Sequence, residues 1–379
     1  MTSIAGDRLR VDTIIIGGGV VGLACARALA LNGREVIILE QAPRLGAGTT
    51  SRNSGVIHAG LYYPPQSLKA RLCVRGRRAL YRFLCERSVP FTRHGKLVLA
   101  QNSAQVDALI ALKENARLSG CEGLEFVAPS WLGRHEPNVK TLMALSSPDT
   151  GWVDVHALID AFDTDIGASG GLVFCNSPVE RVEQTPSGFD VLCKAQGGVV
   201  ECNTLVLAAG LGFDRLLAAS AIDLAKPVPE QVWAKGSYFA YSGASPFKRH
   251  IYPVPVEGGL GIHATIDGAG RVKFGPDVEW LPDTCSENID YGVEALRRDS
   301  FVEAIVQYWP DIDREKLHPD YSGVRPKLAG AGQGFADFGI FGPEYHSVPG
   351  LMCLTGIESP GLTASLAIGD EVYERLNTD

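Results

Sequence analysis

Val11-Asp12-Thr13-Ile14-Ile15-Ile16-Gly17-Gly18-Gly19-Val20-Val21-Gly22 is the stretch whose reading decides the fold. The apolar run ending at Ile16 predicts a short buried strand. Residues 17–22 match G-x-G-x-x-G and predict a tight turn. A helix is expected over residues 23–32, where Ala24, Ala26, Ala28 and Ala30 are strong helix formers. Gly33 stops it, and Glu35-Val36-Ile37-Ile38-Leu39 predicts a second strand ending at Glu40. Gly17 permits the turn, Gly19 lets backbone approach a pyrophosphate, and Gly22 lets helix and strand pack closely. The helix N-terminus offers unpaired N–H groups to the phosphates. Glu40 is placed to accept hydrogen bonds from an adenosine ribose. The glycines lie between strand and helix, with an acid closing the next strand, so a dinucleotide site is expected rather than a bare turn.

The 379 residues are 45% hydrophobic and 21% charged, an ordinary globular balance, and the length suggests about two domains. A net charge of −8 gives no electrostatic support for nucleic-acid binding, so an anionic substrate must be met by local cations. The nine cysteines show no C-x-x-C pair and no metal-like spacing with histidine. Reduced cytosolic thiols are expected, and no metal site. The residues before the first strand include Asp7, Arg8 and Arg10, which is no signal peptide, and no apolar run reaches about 18 residues. The expected location is the cytoplasm, with peripheral contact at the inner membrane as an alternative.

Residues 41–60 are rich in Gly, Ser and Thr, and their core, Thr49-Thr50-Ser51-Arg52-Asn53-Ser54-Gly55-Val56-Ile57-His58-Ala59-Gly60, suits further phosphate or ring contacts. Residues 67–87 predict a helix with Leu68, Leu72, Leu80 and Leu84 on an apolar stripe. Its seven cations, Lys69 through Arg87, are read as a solvated face, with a membrane or anion contact as the alternative. A strand is expected over 91–100, helices over 104–118 and 156–168, and a turn-rich element over 130–137. Short strands follow at 172–174, 179–182, 189–192 and 199–202, with hairpin turns at Ser187-Gly188 and Gly197-Gly198. Thr204-Leu205-Val206-Leu207-Ala208-Ala209-Gly210 reads as a buried strand. Residues 228–280 are strand-like and aromatic. A helix over 293–308, a strand over 351–354 and a final helix opened by residues 356–363 complete the chain.

This arrangement of one N-terminal fingerprint, a hairpin insert before Ala208-Ala209-Gly210 and a glycine-rich closing helix start resembles the FAD-dependent D-amino-acid-oxidase-like flavoproteins, related to glycine oxidase and glycerol-3-phosphate dehydrogenase. Within them, Asn53-Ser54-Gly55-Val56-Ile57-His58-Ala59-Gly60-Leu61-Tyr62-Tyr63 looks most like the L-2-hydroxyglutarate dehydrogenases. So do Ser67-Leu68-Lys69-Ala70-Arg71-Leu72-Cys73, His94-Gly95-Lys96-Leu97, Ile251-Tyr252-Pro253-Val254-Pro255 and Gly323-Val324-Arg325. The resemblance implies an α/β and α+β chain: a Rossmann-like FAD-binding domain of the glutathione-reductase/D-amino-acid-oxidase type with a mixed β-sheet substrate domain. The expected division is 1–90, 146–220 and 321–379 for FAD, and 91–145 and 221–320 for the substrate. Cofactor contacts are expected at Gly17, Gly19, Val20, Val21, Gly22, Glu40, Gln41, Thr49, Ser51, Asn53, Ser54, Val179, Ala209, Gly210, Gly323, Gly356, Ser359, Pro360, Gly361, Leu362 and Thr363. Two departures stand out. Where relatives carry Thr-Pro-Arg after the histidine matching His263, this chain has Ala264-Thr265-Ile266-Asp267, an acid in the arginine's place. The tail reads Glu358-Ser359-Pro360-Gly361-Leu362-Thr363 where they carry a Ser-Pro-Ala-Ala-Thr type run.

A flavin dehydrogenase needs a base beside the substrate's O–H or N–H and cations for its carboxylate. His58 is the first candidate base, because imidazole titrates near neutrality. Holding FAD or the loop, or carrying the flavin covalently, are its alternatives. His263 is the second candidate, with a structural histidine as the alternative. Arg325 offers a bidentate fork for a carboxylate, and Lys327 and Lys235 are weaker options for a distal one. N–H groups of the segment from Ser359 to Thr363 can face the flavin ring and favour negative charge on it. The expected reaction is FAD-dependent oxidation of a small 2-hydroxy acid, foremost L-2-hydroxyglutarate, to the 2-oxo acid, with electrons passing to a quinone or other acceptor. One nucleotide fingerprint and no second argues against direct NAD coupling. The alternatives are an amine or amino-acid oxidase yielding peroxide, and a non-catalytic flavin-binding redox protein.

Overall fold

The computed structural model describes residues 9–193, 198–255, 261–282 and 288–377. Asp7 and Arg8, Gly197 of the second expected turn, and residues 256–260 of the expected strand-like stretch lie outside them. The opening strand, Leu9–Ile16, starts earlier than the sequence suggests and pairs in parallel with Val36–Leu39 on one side and Gly198–Leu207 on the other. Leu172–Phe174 extends the sheet in parallel beyond Val36–Leu39, and Leu351–Thr355 pairs in parallel with the end of Gly198–Leu207. The start of that same strand pairs antiparallel with Gly188–Cys193, which continues through a hairpin to Val179–Thr185. Residues 199–202 and 204–207 thus form one strand, and chain direction leaves the sheet after Leu207.

Alternation of side chains gives this sheet two apolar faces. Ile15, Ile38, Val206, Met352 and Leu354 point to one core, packed with Leu23 and Leu29 from the helix Val20–Leu31, Phe162 and Ile166 from Val155–Ala168, and Ile368 and Val372 from Gly361–Leu376. Ile14, Ile16, Ile37, Leu39, Leu205, Leu207, Leu351 and Cys353 point to the other, with Phe213 and Leu216. Burial of each such side chain contributes about 1.5–3 kcal/mol before entropy is counted. The first sheet is therefore mixed, with a parallel centre packed on both faces, as the resemblance implies.

A second mixed sheet runs Glu279–Leu281, Val232–Tyr241, Val272–Phe274, Ala264–Ile266, His250–Pro253, Lys96–Ala100, Met143–Ser147, Glu125–Val127, with Leu317–Lys327 also along Val232–Tyr241. The expected 91–100 strand is two: Phe91–Thr92 joins a small sheet with Val56–Ile57 and Gly151–Val153, and a turn at Gly95 (φ +72°) redirects the chain into Lys96–Ala100. Residues 129–135 form a helix rather than a turn, and the helix expected over 293–308 shortens to Arg298–Ile305 behind a 3-10 turn. The eight cysteines of the described residues are free thiols. No described helix is long and apolar enough to cross a membrane.

The cationic helix Leu68–Glu86 is capped by Ser67, whose side chain accepts from Ala70 N. Its charges are largely paired: Arg75 with Asp370 and Glu374, Arg77 with Asp149, Arg78 with Glu122. Just past its end, Arg87 meets Arg27 of the Val20–Leu31 helix on one carboxylate, Asp165, each at 2.7 Å. Burial alone would raise the Asp165 carboxyl, but the two guanidiniums outweigh it and hold it below its ordinary 3.8. Asp165→Ala is expected to lower stability by about 1–3 kcal/mol, read from urea midpoints at pH 7. A group held low stabilises above its unfolded value and loses this as pH falls through the folded one, so the gap between wild type and variant should close below about pH 4. A gap independent of pH would contradict this pairing.

Candidate active site

The turn after the first strand does what its glycines require. Gly17 adopts φ +111°, and its N–H donates to Leu39 O at 2.9 Å. A Cβ on Gly22 would stand 2.0 Å from Gly17 O, so only glycine lets the helix start this close. The helix Val20–Leu31 begins at Gly19 with no side-chain cap and no acid in its first turn. Thr50 Oγ1 crosses from the next loop to accept from Val20 N at 3.0 Å. Glu40 accepts Gly18 N at 2.6 Å through one oxygen and Ala42 N at 2.7 Å through the other. It thereby braces the turn while facing the cavity.

That cavity, of about 1020 Å³, runs from this turn to the second sheet. It is lined by Gly17, Gly19, Val20, Val21, Gly22, Glu40, Gln41, Thr49, Asn53, Ser54, Val179, Ala209, Gly210, Gly323, Gly356, Ser359, Pro360, Gly361 and Leu362, together with His58, His263 and Arg325. Ser51 and Thr363 stand outside the lining. Ser51 Oγ donates to Ala47 O and Gly48 O, closing its own turn. Thr363 Oγ1 accepts from His58 N at 2.9 Å and donates to Val56 O, so it holds the loop carrying His58. Asn53 is also occupied locally, its side chain spanning Thr50 O and Gly55 N.

At the far end, His58 Nε2 lies 3.2 Å from Ser359 Oγ. Burial pushes its imidazole down to about 3, and the nearby Lys96 adds to this, so the ring is neutral at physiological pH. His263 is 6% exposed and stacks on Tyr252 at 3.6 Å with the rings 9° apart. Arg325 Nη2 donates to Asp277 O at 3.2 Å, while its buried Nε has no hydrogen-bond acceptor among the described residues. An unmet donor of this kind costs about 1–3 kcal/mol. Tyr238 lines the same end, stacked on Tyr321 at 4.6 Å.

Several lining residues escape a reading of the sequence. Arg52 stacks on Tyr291 at 3.8 Å and donates to Ser322 O. Gln231 bridges Gly210 O and Thr355 Oγ1. Burial alone would raise the Glu358 carboxyl, but Lys69 and Lys327 outweigh it and hold it below the usual range. Lys327 is thus committed to Glu358, and neither it nor Lys235 lines the cavity. Asp267 puts no negative charge there either: its carboxylate caps Ala269 N and Arg271 N and pairs with Arg271.

A glycine turn, an uncapped helix start, an acid ending the second strand and a long cavity define a dinucleotide-binding protein with polar groups gathered at one end. The family model described as FAD dependent oxidoreductase matches residues 12–375, and the chain belongs to that family. It is 42% identical to the mitochondrial L-2-hydroxyglutarate dehydrogenase of Arabidopsis thaliana, over 97% of this chain and 83% of that one. It is 30% identical to the human mitochondrial protein of the same name, over 96% and 89%. Its fold superposes on FAD-bound L-alpha-glycerophosphate oxidase of Mycoplasma pneumoniae with a TM-score of 0.86, at 22% identity, covering 98% of this chain and 95% of that one. The chain is an FAD-dependent oxidoreductase, and the residues present fit that cofactor. The uncapped helix start suits its pyrophosphate, Glu40 its ribose, and the cavity its length.

Glu40→Ala removes the turn's brace and the carboxylate that suits a ribose. The dissociation constant for FAD, titrated into the apoprotein by flavin fluorescence, should rise about 10- to 100-fold, the equivalent of ~1.5–3 kcal/mol. An unchanged constant would remove Glu40 from the cofactor site.

Proposed function

We propose that the protein oxidises a small 2-hydroxy acid, foremost L-2-hydroxyglutarate, to the 2-oxo acid. One observation carries the reading: a guanidinium, Arg325, lines the FAD-binding cavity together with a neutral imidazole, His58. The names of the relatives, L-2-hydroxyglutarate dehydrogenase in plant and human, agree with it. When bound, FAD supplies the acceptor for the hydride from the substrate's carbon. Arg325 holds the carboxylate through its fork, which fixes the C–H toward the ring. His58, steadied by Ser359, takes the hydroxyl proton, a contribution on the order of 10²–10⁴-fold. His263 stacks on Tyr252 and shapes the opposing wall.

In this reading the FAD-binding domain comprises 1–90, 146–220 and 321–379, and the substrate domain 91–145 and 221–320. The strand Leu317–Lys327 spans the last join and carries Arg325 across it. Electrons pass onward to a quinone or other acceptor. Arg71, Arg75, Arg78 and Arg82 share an exposed face of the helix Leu68–Glu86, which suits a peripheral approach to an anionic membrane surface. The acids opposite Arg75 and Arg78 keep that attraction modest.

The test is anaerobic mixing of the yellow protein with L-2-hydroxyglutarate, followed by absorbance near the oxidised flavin band. The band should bleach within seconds with this acid. In Arg325→Met it should bleach with kcat/KM reduced on the order of 10²-fold, the loss of ~3 kcal/mol from a desolvated charge pair. Bleaching with glycine, sarcosine or proline, and none with any hydroxy acid, would replace the reading with amine oxidation.

A further inference from the structure

Lys96 is the most deeply buried ammonium beside the cavity, at 1% exposure. Its strand, Lys96–Ala100, alternates: Leu97 and Leu99 enter one core, while Val98 and Ala100 enter another with Ala59 and Leu61. Lys96 follows Val98 to that side, where the chain carrying His58 passes. Its Nζ donates to Tyr62 Oη at 3.2 Å and stands 4.6 Å from the ring centres of both Tyr62 and Tyr252. Its partners are thus a phenol and two ring faces, and among the described residues none is a carboxylate. Tyr252 links it to the cavity, because the ring that lies 4.6 Å from Lys96 Nζ also lines the cavity and stacks on His263 at 3.6 Å.

An ammonium kept dry without an acid is costly, and the cost falls when an anion arrives nearby. A 2-hydroxy acid brings such a charge to the cavity end where His58 and Arg325 stand. That charge favours protonation of every base within reach, and a protonated His58 can accept nothing from the substrate. The groups facing His58 are Cys73 Sγ, which donates to His58 O at 3.6 Å, Ser359, Thr363, His250 and Lys96. Those facing Lys96 are Tyr62, Tyr252, Cys73, Cys121 and the two histidines. Arg77, which also reaches the thiols, is committed to Asp149. Burial raises both thiols and both phenols out of the neutral range and pushes His250 down to about 3. Burial lowers Lys96 only to about 7, so within this cluster it is the base that protonates first.

We propose that Lys96 is a positioning residue: it takes from solvent the proton that a bound hydroxy-acid anion draws into this pocket, and so keeps His58 unprotonated to act as the base. The inference rests on the role given to His58 above. It adds the reason why a lysine without an acid is buried here.

The test reads His58 directly in FAD-loaded protein. With ¹⁵N-labelled histidine and the His58 signal identified by its loss in His58→Gln, the imidazole is titrated with 2-oxoglutarate present as the probe anion. In wild type His58 should stay neutral down to about pH 5. In Lys96→Met and Lys96→Gln its protonation should move up by about one pH unit or more, the size of a like-charge effect at close range. The acid limb of the kcat profile should move with it, while Lys96→Arg, charged throughout, should return both to wild type. Identical His58 titration in wild type and Lys96→Gln, or a rate loss equal at every pH, would overturn the proposal and leave Lys96 a packing residue. Failure of wild type to oxidise any hydroxy acid would sink the substrate reading instead, and the titration would still decide the coupling.

Discussion

The backbone contact at Gly17 and Gly22 is the constraint on which the molecule depends. A Cβ at Gly22 would overlap the Gly17 carbonyl at 2.0 Å, and one at Gly17 would meet Ala208 O at 2.4 Å. Three chain segments therefore meet with no side chain between them: the end of the first strand, the start of its helix and the end of Gly198–Leu207. The helix N-terminus is left open toward the cavity, where its N–H groups and dipole favour an anion. Thr50 and Glu40 then close the rim by accepting Val20 N and Gly18 N. The cofactor's place follows from this packing before any group specific to the substrate is considered.

Chemistry enters where the second sheet faces that cradle. Val232–Tyr241 and Leu317–Lys327 run antiparallel, so Gly236 opposes Gly323 and Ala234 opposes Arg325. A Cβ at Gly236 would meet Pro276 at 2.6 Å and one at Gly323 would meet Arg52 O at 2.4 Å, so glycine lets these segments pack against the strand that carries Arg325. Charge is arranged in pairs around this end. Glu358 lies between Lys69 and Lys327, Asp267 binds Arg271, and Arg52 rests on Tyr291. Facing the cavity are Arg325, His58 beside Ser359, and His263 stacked on Tyr252. A chain of net charge −8 can in this way receive an anion, because its acids are occupied locally.

Much of this was legible in the sequence, for reasons that can be named. The first strand, turn and helix were readable because backbone sterics permit few residues there, and the loop from Thr49 to His58 because its hydroxyls and glycines form an unusual run. Other features depend on contacts distant in sequence. Lys96 sits in Lys96-Leu97-Val98-Leu99-Ala100, where alternation gives the face but not what covers it, and Tyr62 and Tyr252 are remote. Asp267 read as an acid in the place of an arginine, and sequence order cannot show that it turns back on Arg271. Glu358 stands in a glycine-rich helix start, and nothing local announces two lysines from other elements. Ser51 and Thr363 share the polar run's composition yet spend their hydroxyls on backbone, a choice decided by turn geometry.

The central claim is spatial: one cofactor lies along the Gly17–Gly22 turn with its reactive ring between Arg325 and the Tyr252–His263 stack. A crystal structure of the FAD-loaded protein with 2-oxoglutarate tests it most directly. The account predicts the ribose at Glu40, the ring at the far end of the cavity, and the acid's carboxylate on Arg325 with its 2-oxo group toward His58. A ring directed away from Arg325, or an acid bound away from Arg325, would contradict it.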